Sequence, residues 1–556
     1  MKLALISGIV AALAVSLSAS AQTTFTVPST ATPTLEIALN PALSGIQPGD
    51  TIELLPSGVF ADTYTVTVGG ITIRGLGSAP IVLDGFGQGP IFTLDFPERD
   101  GIVFENLRLI NGMTSGTGGA IDVVDASTLT LIDCEFENNT AAVAGGAIFA
   151  TSCNLEVLGC TFNSNTSGGS GGAVRTTGSS FTDITIADSV FTANESTNAV
   201  GGAAAMTNIG GNTVITDSVF SGNSANTDSG GVFTSSAATI RVERCSFLDN
   251  TSNGSTGGAR IFGSESALVR DCDFERNLSE EDAGGLYSSS IIDVVDCRFV
   301  DNGARFGGGA CVFADGEMRI TNCLFDGNDG SRGDGTGGGG AVGVDGFNYP
   351  QTTVRVANSL FINNTAPTGG AVYALFECET WIDGCTFWNN SSPGPGSAIR
   401  AGSLESDAYI SNSILWGNTG TPSVLALTSP VRELGYCIVE GGYGTTFPGI
   451  IDADPMFADA PGGNFTLLPG SPAIDAGSSP LHTGPTVDLS GGARVTDDPS
   501  TPDTGVALIG AVIDMGAFEV QAPSLPDCPA DQNFDGMLSP ADFSAWISNY
   551  LSLVHI

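Results

Sequence analysis

The chain reads as all-β, a right-handed parallel β-helix, and three observations carry that reading. A Phe-x-x-Asn unit returns ten times between Phe136 and Phe387, and Leu415 with Asn418 continues it. A Gly-Gly-apolar unit alternates with it, its second glycine running from Gly119 to Gly370 with Ser397 after it, at steps of 24 to 31 residues. The residues ahead of each Phe alternate between apolar and polar, as a half-buried strand does. Short strands on such a repeat describe a solenoid: each repeat is one coil, and equivalent strands pair in parallel about 4.8 Å apart. The right hand follows from the crossover rule. Apolar residues never keep helical spacing for more than a turn or two, which excludes a helical solenoid.

In chain order the first element is a leader. Lys2 precedes an apolar run from Leu3 to Leu17, and Ala19-Ser20-Ala21 is a small-residue cleavage site. Residues 1–21 therefore read as a secretory signal peptide, with the mature chain beginning at Gln22. The run is too short to span a bilayer, and no later stretch reaches about 18 apolar residues. The expectation is an extracellular or cell-surface protein without transmembrane insertion. Residues 22–450 form the β-helix, whose opening coils include an apolar segment from Leu35 to Leu43 and PGDTIELLPSGVF at 48–60.

Within a coil, five positions before each Phe stand Leu131, Val157, Ile186, Ile215, Val242, Val269, Val294, Ile320, Val356, Ile382 and Ile410. Six before it stand outward-tolerant residues such as Thr130, Glu156, Arg241, Asp293, Arg319 and Arg355. The position two before Phe is always Cys or Ser and shares its side, so the inward set changes parity between the fifth and second positions. A one-residue shift flips the face, and a corner must lie there. Phe stacks on Phe, each burial worth roughly 2 to 3 kcal/mol. Asn bonds to the coils above and below, about 1 kcal/mol net per bond. Gly-Gly supplies the positive φ of a tight corner.

Cys134, Cys160, Cys245, Cys272, Cys297, Cys323 and Cys385 share their slot with Ser189, Ser218, Ser359 and Ser413. That interchange describes a small inward side chain and a stack of buried thiols. Parallel Cβ vectors suit disulfide geometry poorly, although Cys153 with Cys160 and Cys378 with Cys385 repeat one spacing and export permits bridges.

FNSN at 162–165 with GGAV at 171–174 resembles the paired FxxN and GGA(I/L/V) motifs of the polymorphic outer-membrane proteins, and more widely the secreted bacterial right-handed parallel β-helix proteins. The resemblance runs from about Thr114 to Asn418. The polymorphic family carries a membrane-embedded C-terminal barrel that is not read here, so its export route and adhesin role are not carried over. Residues 451–520, with DADPMF, SPAIDAG and DMGAFE, resemble the C-terminal part of many bacterial β-helix proteins. Their expected task is to finish and seal the stack, whose open end exposes unpaired backbone.

Residues 521–556 hold a Pro-bearing linker and DQNFDGMLSPAD at 531–542, which fits a calcium loop. Asp531, Asn533 and Asp535 take the first, third and fifth ligand positions, Gly536 the sharp turn, Met537 offers its carbonyl, Ser539 acts through water and Asp542 closes the loop. Phe543, Trp546, Ile547 and Tyr550 then share one face of a following helix. The match resembles a single dockerin repeat, which implies bound Ca2+ and an anchoring partner; dockerins normally carry two such loops.

The mature chain sets 17 arginines against 59 acidic residues, a net charge of −42. Such a chain repels nucleic acid and anionic membranes and attracts divalent cations. The lyase and polygalacturonase signatures of related β-helix enzymes are absent: TWIDGC at 380–385 lacks the histidine, and no His occurs in the repeats. GGSGG at 168–172 and GDGTGG at 333–338 are glycine-rich corners rather than a nucleophile elbow or a dinucleotide loop. The last regular coils display Trp381, Trp388, Tyr409 and Trp416 at outward positions near Glu377, Glu379, Asp383, Arg400 and Glu405. Exposed aromatics suit stacking on sugar rings, unless residues 420–520 fold back over them. The expectation is an exported binding protein for an extracellular polysaccharide or surface glycan, anchored or sorted through its calcium-binding tail. The alternatives are a polysaccharide-degrading lyase or glycoside hydrolase, and a structural adhesin-like surface protein.

Overall fold

Three positions before each Phe the backbone is left-handed, at Asp133, Asp188, Asp217, Arg244, Asp271, Asp296, Asn322, Asn358 and Asn412, with Gly159 and Gly384 in the remaining coils. This is the corner that the change of parity predicts. The computed structural model describes residues 22–521 apart from 96–99, 125, 179–181, 334–335, 348, 350, 402–405, 421–423, 428–430, 445–446 and 509. The expected leader at residues 1–21 and the expected calcium ligands Asp531, Asn533, Asp535, Met537, Ser539 and Asp542 lie outside the described residues.

One coil contains the strands Ile121–Val124, Thr128–Ile132, Glu135–Glu137 and Thr140–Ala141. Each pairs in parallel with its equivalent in the next coil, Ile148–Thr151, Asn154–Leu158, Thr161–Asn163 and Thr166–Ser167. Repetition builds three long sheets, which among the described residues hold 14, 16 and 15 strands. In coil order we call them the Gly sheet, the broad sheet and the Phe sheet. A fourth, narrow sheet of 7 two-residue strands follows the Phe sheet over part of the stack.

The core is a set of columns along the axis. The ten Phe rings from Phe136 to Phe387 stack at centroid distances of 4.5 to 5.0 Å, with planes within 14° of parallel. Beside them runs an unbroken asparagine ladder from Asn139 to Asn418. Asn250 is representative: its Nδ2 donates to Asn277 Oδ1 in the next coil at 2.9 Å and to Phe220 O in the preceding coil at 2.9 Å. Its Oδ1 accepts from the Asn223 backbone N–H and Nδ2. The Cys/Ser slot works in one way whichever residue fills it. Cys245 Sγ donates to Glu243 O at 3.2 Å and Ser218 Oγ to Thr216 O at 2.7 Å. All eleven cysteines among the described residues are free, and burial pushes the Cys385 and Cys437 thiols up to about 12.

In several of the glycine pairs the two residues divide their labour. In Gly145-Gly146 the first glycine has φ +64°, while a Cβ on the second would lie 2.0 Å from Gly172 O of the next coil. Positive φ therefore explains only one glycine of the pair; close packing of backbone on backbone explains the other.

At the N-terminal end the predicted apolar segment is helical. Thr34 caps Leu35–Leu39 by accepting from the Ile37 N–H, and Leu35, Ala38 and Leu39 are buried. At the other end Ile450–Ile451 is the last parallel strand, pairing with Cys437–Val439. Residues 452–520 then hold one antiparallel pair, Phe457–Asp459 with Asn464–Leu467, and mostly irregular backbone. Rather than only finishing the stack, this segment runs back along the outside of the Phe sheet. Its Phe465 packs on Leu360, Ile362 and Trp388; Ala473, Ala476 and Met515 pack on Ile414, Ile438 and Trp416. The outward face explains the path. Early coils show Glu135, Glu137, Asp273 and Glu275 there, and late coils show Leu360, Ile362, Trp388, Ile414 and Trp416.

Candidate functional site

Strand register lines up the outward residues of the broad sheet in columns. In the last coils one column reads Asp293, Arg319, Arg355, Trp381, Tyr409 and Glu433. The column beside it carries Glu317, Thr353, Glu379 and Asp407. Residues 480–485 of the C-terminal segment form a wall along this face. Between wall and sheet lie two adjoining clefts that share Trp381 and Thr483, one of 340 Å3 reaching Arg319 and Arg355 and one of 130 Å3 reaching Tyr409 and Glu433.

The four sequence-predicted aromatics are thus divided. Trp388 and Trp416 lie on the Phe sheet under the C-terminal segment, Trp388 meeting Phe465 edge-on at 5.6 Å. Trp381 and Tyr409 lie on the broad sheet and remain half-buried in the clefts. Their rings stack at 3.7 Å and 3°, while Arg355 lies 4.7 Å from the centroid of the Trp381 ring. Trp381 is therefore sandwiched along the solenoid axis between an aromatic and a guanidinium, and it presents its edge to the clefts. Its Nε1 donates to Glu379 Oε2 at 3.2 Å.

Arginines and carboxylates on this face are interlocked. Arg319 donates to both oxygens of Glu317, at 3.0 and 2.9 Å, and Arg355 donates to Glu317 Oε1 at 3.0 Å. The Arg319 guanidinium holds the Glu317 carboxyl below its ordinary range. Trp381 and Tyr409 thus sit among two arginines and the carboxylates of Asp293, Glu317, Glu379, Asp407 and Glu433. The face is acidic overall, with rigid aromatic edges and many hydrogen-bonding groups. Chemically it suits a neutral, hydroxyl-rich ligand better than an anion.

The wall is fixed by a contact that the sequence reading missed. Asp383 is buried and accepts from His482 Nδ1 at 2.8 Å, the Thr483 N–H at 2.8 Å, Asn412 Nδ2 at 2.8 Å and Ser411 Oγ at 3.0 Å. Burial alone raises a carboxyl, but the bonds from His482, Thr483 and Asn412 outweigh it and hold Asp383 below its ordinary range. His482 Nε2 faces Pro485 O at 2.9 Å, so the two ring nitrogens face two acceptors. The imidazole is therefore committed to structure. A separation of 99 residues carried no sequence signal for this pair.

Deeper in the same junction Arg494 is fully buried. It donates to Glu519 and to the carbonyls of Asp514 and Gly516, and its guanidinium lies against Gly384, where a Cβ would approach Nη2 to 2.8 Å. A second outward column, on the Gly sheet, also escaped the sequence reading: Arg260 lies 4.5 Å from the Tyr287 ring and 6.0 Å from that of Phe233. Alternation analysis could have found it, since these residues are in register.

Comparison with curated proteins gave no match. The sequence profile described as right handed beta helix region matches residues 57–247 and 198–349, more than half of the chain. With its parallel coils and the hand that this description supplies, the chain belongs to the right-handed β-helix family.

Proposed function

We propose that this protein is an exported, cell-surface or extracellular binding protein that contacts a neutral polysaccharide through the late-coil face of the broad sheet. The observation that carries the reading is the Trp381–Tyr409 stack, set edge-outward in clefts between the sheet and residues 480–485. Because Tyr409 and Arg355 occupy the faces of Trp381, the ring edges contribute only van der Waals contact in the clefts, and the surrounding carboxylates and guanidinia accept from and donate to sugar hydroxyls. The excess of carboxylates disfavours uronates. In this reading the leader at 1–21 exports the chain. The tail holds Ca2+ through Asp531, Asn533, Asp535, Met537, Ser539 and Asp542 and binds an anchoring partner.

Affinity electrophoresis through neutral and acidic polysaccharides, with cleavage assayed in the same gels, tests the reading. Retardation by a neutral glycan is expected. It should weaken at least about tenfold, about 1.4 kcal/mol, in Trp381→Ala with Tyr409→Ala. Trp388→Phe, under the C-terminal segment, should leave it unchanged. Chain cleavage would instead support the polysaccharide-degrading enzyme, and free migration in every lane would support a structural surface protein.

A further inference from the structure

The segment that covers the Phe sheet contains a group of carboxylates that none of the contacts above explains. Asp475, Asp497 and Asp503 each offer an oxygen, and these oxygens lie within 4.8 Å of one another. It is the only such group of acidic, Cys or His side chains among the described residues. An acidic cluster alone is commonplace on a chain of this charge. Asp475 makes this one different: its side chain is fully buried, and its Oδ2 has no hydrogen-bond partner. Its Oδ1 has only the Asp498 N–H, at 3.5 Å. A buried carboxylate oxygen without a donor is strongly unfavourable unless something positive compensates it.

Among the described residues no Arg or His is paired with Asp475. Burial first, and then the neighbouring charges of Asp497, Asp503 and Asp498, push its carboxyl up to about 6. The backbone nevertheless holds the residue in place. Asp475 has φ +50°, its N–H donates to Asp514 Oδ1 at 2.8 Å, and its carbonyl accepts from the Thr504 and Gly505 N–H groups at 2.9 and 3.0 Å. Those last bonds tie the 497–505 loop to residue 475 and bring the three carboxylates together. A frame that holds a buried carboxylate, one oxygen of it unpaired, against two exposed carboxylates is the expected form of a cation site rather than of a packing contact.

The geometry points to a divalent-cation site at Asp475, Asp497 and Asp503, selective for Ca2+. Oxygens about 2.4 Å from a common ion can lie up to about 4.8 Å apart, and Ca2+ accepts all-oxygen ligands in irregular numbers and positions. Because Asp497 and Asp503 are exposed, water completes the coordination shell. Access is open: an adjacent cleft is lined by Ile474, Thr501, Pro502 and Thr504, the neighbours of the ligands themselves. The bound ion would pin the 497–505 loop to the core of the C-terminal segment. This site is separate in sequence from the calcium loop proposed at 531–542 and does not depend on it.

Calcium titration calorimetry on the whole chain, with unfolding temperatures in Ca2+ and in EDTA, separates the two. The first variant carries Asp531→Ala, Asp535→Ala and Asp542→Ala, which disable the tail loop. It should still bind one Ca2+ and still gain unfolding temperature when Ca2+ is added. Adding Asp497→Ala and Asp503→Ala, both at exposed positions, should abolish the remaining binding and the gain, while the unfolding temperature in EDTA stays as it was. Asp475→Asn in the tail-disabled chain serves as the shape-preserving control and should also abolish both. Calcium binding that vanishes with the tail variant alone, or that survives all of these substitutions unchanged, overturns the site.

Discussion

The asparagine ladder shows how much one residue can hold. Within the ladder each Asn, as at Asn250, donates to a carbonyl of the coil before it and to the side-chain oxygen of the Asn in the coil after it, and accepts from the backbone N–H and side-chain amide of the Asn in the coil before it, in a slot closed to water. Asn250→Ala removes the donor to Phe220 O and strands the Asn223 amide. The expected cost is about 2–4 kcal/mol, since buried groups left unpaired lose their full desolvation energy. Asn253→Ala, an exposed residue whose Nδ2 bonds Asn226, should stay within about 0.5 kcal/mol. Urea unfolding of the two variants checks the contrast; equal effects would mean that the ladder adds nothing beyond surface hydrogen bonds. The ladder was legible in the sequence because Asn recurs three residues after every Phe. The Cys/Ser slot was legible for the same reason, and its shared hydrogen bond to the carbonyl two residues back explains why either residue serves.

At the scale of elements, coils stack only where their corners permit backbone to approach backbone. Gly146→Ala would place a Cβ 2.0 Å from Gly172 O, and no side chain can yield there because the obstacle is backbone. Gly222 also has positive φ, +62°, but has nothing within 4 Å of its Cβ position. Gly222→Ala should therefore cost only the left-handed penalty, about 1–2 kcal/mol. Gly146→Ala should prevent the two coils around it from pairing and yield little folded protein. Circular dichroism and the soluble yield of each variant test this, and similar behaviour of the two would refute the role of close approach. Sequence alone showed paired glycines but could not separate the two reasons for them, because close approach depends on the neighbouring coil.

Over the whole molecule the C-terminal segment decides which outward residues stay available. Its hold on the coils passes through Asp383, whose carboxyl lies below the ordinary range in the folded protein. A depressed carboxyl stabilises fully above its unfolded value, near 4, and the contribution is lost as pH falls through the lower folded value. Acid should therefore release residues 477–485 before the coils, whose depressed carboxylates such as Glu317 lie in surface arginine pairs worth little and whose Phe and Asn columns carry no titrating group. Hydrogen exchange corrected for intrinsic rates, compared at pH 6 and near pH 2.5, should show protection lost first in that segment. Asp383→Asn should release the segment already at pH 6, by about 1.5–3 kcal/mol, the worth of a hydrogen bond to a charged group, because an amide cannot accept from His482, the Thr483 N–H, Asn412 and Ser411 together. Loss of protection in segment and coils together would place the acid-sensitive contact elsewhere.

The sequence by itself determined the coil: its short parallel strands, its corner before the Phe, its stacked rings, its asparagine ladder and its interchangeable Cys/Ser slot, while the number of sheets came from the structure. Each coil meets a near copy of itself, so a contact across coils is a contact between equal positions and appears as periodicity. Only the tertiary structure decided the rest. It turned Trp388 and Trp416 under the C-terminal segment, left Trp381 and Tyr409 edge-outward in a cleft, joined Asp383 to His482, and gathered Asp475 with Asp497 and Asp503. The C-terminal segment has no repeat, and its partners are set by which face of the late coils is apolar. That complementarity exists only once the coils have stacked into a surface.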